Sequence, residues 1–79
     1  MSDLLKHIRA AALFVSDLQR SAQPPAREVR SAVAGAIHAY GSPGCAELVA
    51  AEFGEHPETA VARMSWALEA VRASFPAAL

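Results

Sequence analysis

The side chains best able to do covalent or metal chemistry in this 79-residue chain are one thiol, Cys45, and three imidazoles, His7, His38 and His56. A zinc site gathers His, Cys and carboxylate ligands at short spacing, most simply as two ligands one turn apart on a helix. None of the three histidines stands four residues from another or from Cys45, so no metal site is expected. His56 precedes Pro57 and reads as a helix-entry residue; His38 falls on the outer face of its segment. A nucleophilic Cys45 needs a neighbouring base and a lowered pKa. A helix start would lower that pKa, but a small thiol more often packs in a core. The stretch "GSPG" at 41–44 lacks the length and the lysine of a phosphate-binding loop. The residues point to a non-enzymatic protein without a cofactor.

Four helical segments must position whatever else the chain does, at about 3–20, 26–40, 44–53 and 57–74. In the first, Leu4, Ile8, Ala11, Ala12, Val15 and Leu18 share one stripe at about 100° per residue. Leu13 falls off that stripe, among Lys6, Arg9, Asp17 and Arg20. "SAQPP" breaks this helix, and Pro25 suits the first turn of the next. Val29, Val33, Ala36, Ile37 and Tyr40 then share a face, and Gly41 is placed to end the second helix. Ser42 and Pro43 restart the chain. Cys45, Leu48, Val49 and Phe53 line the third helix, which Gly54 is expected to stop. Ala60, Met64, Ala67, Leu68, Val71 and Phe75 line the fourth. No strand pattern competes, and the chain reads as one all-α domain spanning 1–79.

A chain this short buries only about 60% of its unfolded surface, so self-association is the natural further source of stability. The lone cysteine allows no intramolecular disulfide and suits a reducing, cytoplasmic setting. "MSDLLKHIRAAALFV" does not read as a signal peptide, and no apolar run approaches the roughly 20 residues of a membrane span. Net charge is −1, but it is unevenly spread. Residues 1–41 carry five cations against three anions, and residues 42–79 carry two against five.

The last two segments, joined by a few residues with a glycine between them, have the outline of a helix-turn-helix. Around "ETAVARMSWAL" the chain resembles the promoter-binding region of bacterial sigma factors and related regulators, through Val49, Ala50, Gly54, Thr59, Arg63, Met64, Ser65 and Ala67. The resemblance covers residues 45–68. It implies a DNA-reading second helix, with Thr59 and Arg63 as the contacts that carry over. The sequence departs from it at Trp66, where a basic residue is usual, and at Val61.

Charge argues against that function. DNA binding draws on phosphate neutralisation by Lys and Arg, whereas this half of the chain is acidic, with Glu55 and Glu58 at the start of the reading helix. Trp66 lies roughly 160° around the fourth helix from the buried stripe. Its indole is either covered by the first helix or left as an anchor for a partner, because Trp and Arg are enriched at interface hot spots. Glu52, at the core edge, is expected to pair with Arg27 or Arg30. The leading expectation is a regulatory interaction module that binds protein, itself or a partner, through Leu13, Arg63 and Trp66. The alternative is a small DNA-binding or transcription-associated protein.

Overall fold

A computed structural model describes residues 2–76. It contains three α-helices and no strand among these residues: α1 (Ser2–Val15), α2 (Ala26–Glu55) and α3 (Pro57–Ser74), with a 3-10 turn at Arg20–Ala22. The all-α class holds. The count is three rather than four, because the expected second and third helices adjoin without a loop across a kink at the non-helical Gly41 and are taken together as α2. Gly41 has φ 69° and ψ 163°, a conformation essentially restricted to glycine. Pro43 follows in the first turn beyond the bend. Cys45 Sγ donates to the Ala36 carbonyl at 3.7 Å. A straight helix would hold residues nine apart about 13 Å from each other, so this bond exists only because the run turns back on itself. The bend is tight: a Cβ on Gly44 would stand 3.0 Å from Tyr40 Cβ.

The first helix ends at Val15, five residues before its expected end. Ser16 N–H and Ser16 Oγ both donate to the Leu13 carbonyl, at 3.1 and 2.6 Å, and Leu18 N–H donates to Ser16 Oγ at 3.3 Å. The serine thus tightens the last turn and diverts the backbone donor that would have continued the helix. The chain then crosses to α2 through residues 16–25. Pro25 is the extended N-cap residue of α2, and its carbonyl accepts from Glu28 and Val29 N–H at 3.0 and 3.1 Å.

Gly54 does not end α2. Its φ is not positive, and helix continues through Glu55. The corner belongs to His56 (φ −137°, ψ 65°), pushed out of helical geometry by the ring of Pro57 behind it. A single residue therefore separates α2 from α3, and the glycine-cornered turn expected from the sequence is replaced by a proline-set one. Glu52 pairs with His56 Nδ1 at 3.0 Å, not with Arg27 or Arg30; Arg30 instead donates to the Ser74 carbonyl at 3.0 Å.

The core is built from small residues, with Ala10, Ala12, Leu13, Phe14, Val29, Val33, Ala36, Cys45, Ala60, Ala67 and Val71 all buried. α1 packs against both other helices. Its buried positions 10 and 12–14 span roughly 200° of its circumference, twice the width of a one-sided stripe. The expected stripe is corrected accordingly: Ala12 is buried and Ile8, Ala11, Val15 and Leu18 are half-buried, whereas Leu4 is 71% exposed. Phe14 stacks on Phe53 with centroids 6.0 Å apart. Arg9 covers the Phe75 ring at 4.1 Å. That contact, with those of Arg63 near the other end of α1, sets α1 and α3 antiparallel.

Candidate functional site

Arg63 organises the surface that the sequence singled out. It projects from the second turn of α3 onto the C-terminal end of α1. There its Nε donates to the Phe14 carbonyl at 2.7 Å, and its Nη2 donates to the Ser16 and Leu13 carbonyls at 3.0 and 3.4 Å. Carbonyls at a helix C-terminus have no intrahelical partner and carry the negative end of the dipole, so a guanidinium fits them well. Partial burial holds the Arg63 pKa below its ordinary value.

The same guanidinium lies 5.1 Å from the Trp66 ring centroid and 5.7 Å from that of Phe14. This cation–π contact braces the indole from one side. Trp66 is half-buried. It stands between two open grooves of about 460 and 600 Å³. The first runs along Trp66, Ala70 and Ala73 of α3, with Val29 of α2 and Pro24 of the linker opposite. The second runs along Thr59, Ala62 and Arg63, with Gln19 and Ser21 opposite. Arg20 and Gln23 line both. Beyond α3 itself, the grooves beside Trp66 are lined by the 19–24 linker and the start of α2, while Trp66 packs partly on the core.

The expected site residues separate into two groups. Thr59, Arg63 and Trp66 come together on one surface. Leu13 does not join them: it is 0% exposed, because α1 is covered from two sides, and its expected role as an exposed interaction residue is corrected to a core role. Arg63 reaches the surface but commits Nε and Nη2 to three of the chain's own carbonyls, leaving its Nη1 donors for a ligand. Thr59 is exposed, and its Oγ1 donates to the His56 carbonyl at 3.2 Å.

No family model, curated protein or solved structure matches this chain.

Two residues of the grooves, Arg20 and Gln23, escaped the sequence reading. Gln23 is the only described non-glycine residue with positive φ (48°), a left-handed conformation costly for a side-chain-bearing residue. The 3-10 turn supports it, Gln23 N–H donating to the Arg20 carbonyl at 3.0 Å, and Pro24 and Pro25 fix the chain beyond. The double proline was the available signal: it stiffens the linker and so makes it a wall. Residues held in such conformations concentrate at binding sites.

The remaining chemistry lies apart. Among the described residues no three His, Cys, Asp or Glu side chains are grouped so as to hold a metal, and no helix is long and apolar enough to cross a membrane. Cys45 is fully buried, and burial pushes its thiol above the ordinary value. A raised pKa means that the neutral thiol stabilises the fold below the ordinary thiol range, and that this contribution is lost as pH rises through the folded value. Cys45 is therefore expected to react with iodoacetamide roughly a hundredfold more slowly in the native protein than in urea. The wild type is expected to lose more stability between pH 8 and pH 10 than Cys45→Ala. Equal alkylation rates in both states would place the thiol at the surface.

Proposed function

We propose that this chain is a small, non-enzymatic helical module, regulatory in role, that binds a protein segment in the grooves flanking Trp66. The observation that carries the reading is the position of the indole: half-buried, braced by Arg63 and lining two open grooves. An aromatic ring fixed before binding offers large contact area at little entropic cost. Small residues on its helix, Ala62, Ala70 and Ala73, leave room for side chains of an incoming segment.

The runner-up, a duplex-reading role for α3, is supported by Arg20 lying in one groove with Thr59 and Arg63. It is weakened by the internal hydrogen bonds of Arg63 and by the exposed Glu55 at the end of α2 and Glu58 in the first turn of α3. Duplex binding requires several phosphate-neutralising cations. A fluorescent duplex titrated at low salt would reveal it as a steeply salt-dependent complex.

The test of the leading reading uses the single tryptophan of the chain as its own reporter. An array of random dodecamer peptides probed with the labelled protein is expected to yield binders that shift Trp66 emission in solution. Trp66→Ala should lose them. So should Ala73→Glu, an exposed groove position at which a surface substitution costs within about 0.5 kcal/mol of stability. Sedimentation of wild type and Trp66→Ala identifies self-binding: a dimer lost in the variant seats a second copy in the groove, and a monomer in both assigns it to a foreign chain. Binders indifferent to both substitutions would remove the proposal.

A further inference from the structure

We infer that the segment taken by the Trp66 grooves is acidic, an apolar side chain flanked by carboxylates, and that Arg20 is the residue that reads its charge. This rests on the groove reading above and narrows it to one class of partner. Neither groove has an Asp or Glu in its lining, and Arg20 lines both. The Arg20 guanidinium is exposed and makes no hydrogen bond or ion pair with any described residue. It is carried on the 3-10 turn whose end is fixed by left-handed Gln23 and Pro24, so its base is held while its donors stay unspent.

The other cations here are anchored. Arg63 holds the carbonyls of α1, and Arg30 holds the carbonyl of Ser74, itself a lining residue. Their positive charge still acts across the groove, with the Nε and Nη2 donors of Arg63 and one donor of Arg30 committed. The groove therefore combines a general attraction for anions with one wholly uncommitted, fork-shaped donor set, that of Arg20. That suits a carboxylate, which an arginine binds through two parallel hydrogen bonds.

A polynucleotide fits less well. Stacking on the indole would serve it, but a phosphate chain needs a track of free cations, and this surface has one. At the Thr59 end the track would meet exposed Glu55 and Glu58. An acidic peptide can lie with its apolar side chain against Trp66 and its carboxylates toward Arg20, away from those glutamates.

The dodecamer array gives the test. Trp66-dependent binders are expected to be enriched in Asp and Glu beside Leu, Phe or Trp. Arg20→Glu should weaken them about tenfold or more, the loss expected for a charge-assisted hydrogen-bond pair, with Arg20→Ala intermediate. Both variants alter an exposed side chain without internal partners, and circular dichroism should report an unchanged fold. Trp66-dependent binders without acidic enrichment, or with basic enrichment, would overturn this inference and leave the groove reading standing. No Trp66-dependent binder would remove both. A dodecathymidylate that shifts Trp66 emission at lower concentration than the best acidic peptide would overturn the inference in favour of single-stranded nucleic acid.

Discussion

Arg63→Ala is expected to destabilise the protein by about 3 kcal/mol, lowering its melting temperature by roughly 12–24 °C. The substitution removes the donors that serve the Leu13, Phe14 and Ser16 carbonyls and the cation that braces Trp66. A partly buried polar group left without a partner costs about 1–3 kcal/mol; the Leu13 carbonyl keeps the N–H and Oγ of Ser16, so the loss falls on the Phe14 and Ser16 carbonyls. The loss is large on the scale of the whole: a domain of this length has a total stability of about 4–12 kcal/mol. Arg63→Lys should recover less than half of it. An ammonium keeps the charge at the helix terminus but cannot serve three diverging carbonyls with one planar fork. Salt separates this role from a surface ion pair. The acceptors are neutral, so 0.5 M NaCl should leave the difference between wild type and Arg63→Ala nearly unchanged, whereas screening would shrink a contribution made by exposed charges. Urea denaturation of the three proteins makes the measurement. A melt of Arg63→Ala within about 0.5 kcal/mol of wild type would mean a guanidinium free for a ligand, as the resemblance to a DNA reader implies.

Arg63 also explains which parts of the fold were legible beforehand. Breaks written in adjacent residues were readable. Pro24 and Pro25 precede α2, and Gly41, Ser42 and Pro43 mark the place where it bends, because proline and glycine act on the backbone within one or two positions. Gly41 does interrupt helical geometry where an end was expected, but helix resumes at once through Pro43, so the second and third segments adjoin without a loop and count as one bent element. The end of α1 was not readable. Its capping guanidinium lies far along the sequence, and no local propensity announces it. At the α2–α3 corner two local signals competed, Gly54 and Pro57, and the proline decided, since it excludes helical geometry from the residue before it while glycine merely permits an exit.

The site was legible to a similar degree. Trp66 stood out because an indole opposite the apolar stripe of its own helix requires an explanation. What met it was not readable, since a linker of polar residues carries no periodicity to show which side of it faces inward. Arg20 looked like one more solvated cation on a helix that in fact ends before reaching it. Only the early stop at Val15 turns it toward α3.

Leu13→Ala is expected to cost about 3 kcal/mol, and this prediction separates the two accounts of α1 most cleanly. Periodicity alone puts Leu13 on the polar side of a helix buried along one stripe. There its truncation would leave stability unchanged and weaken partner binding. In the structure Leu13 is among the largest fully buried side chains, at the middle of an arc covered by both α2 and α3. Removing a buried leucine side chain costs the transfer free energy plus a term for the cavity left behind, about 2–5 kcal/mol. The neighbourhood favours the middle of that range. Core partners such as Ala10, Ala12, Ala60 and Ala67 are too short to swing into the gap, while the larger Phe14, Val29 and Val71 of the same cluster can close part of it. Leu5→Ala is the matched control, removing the same atoms from the same helix at a position 46% exposed, and should cost no more than about 1 kcal/mol. The urea m-value should stay constant in both, so that the midpoint shift reports stability alone. If Leu13→Ala and Leu5→Ala lost equal stability, α1 would not be enclosed on two sides. Arg63 would then have no fixed helix end to cap, and the bracing of Trp66 would fail with it.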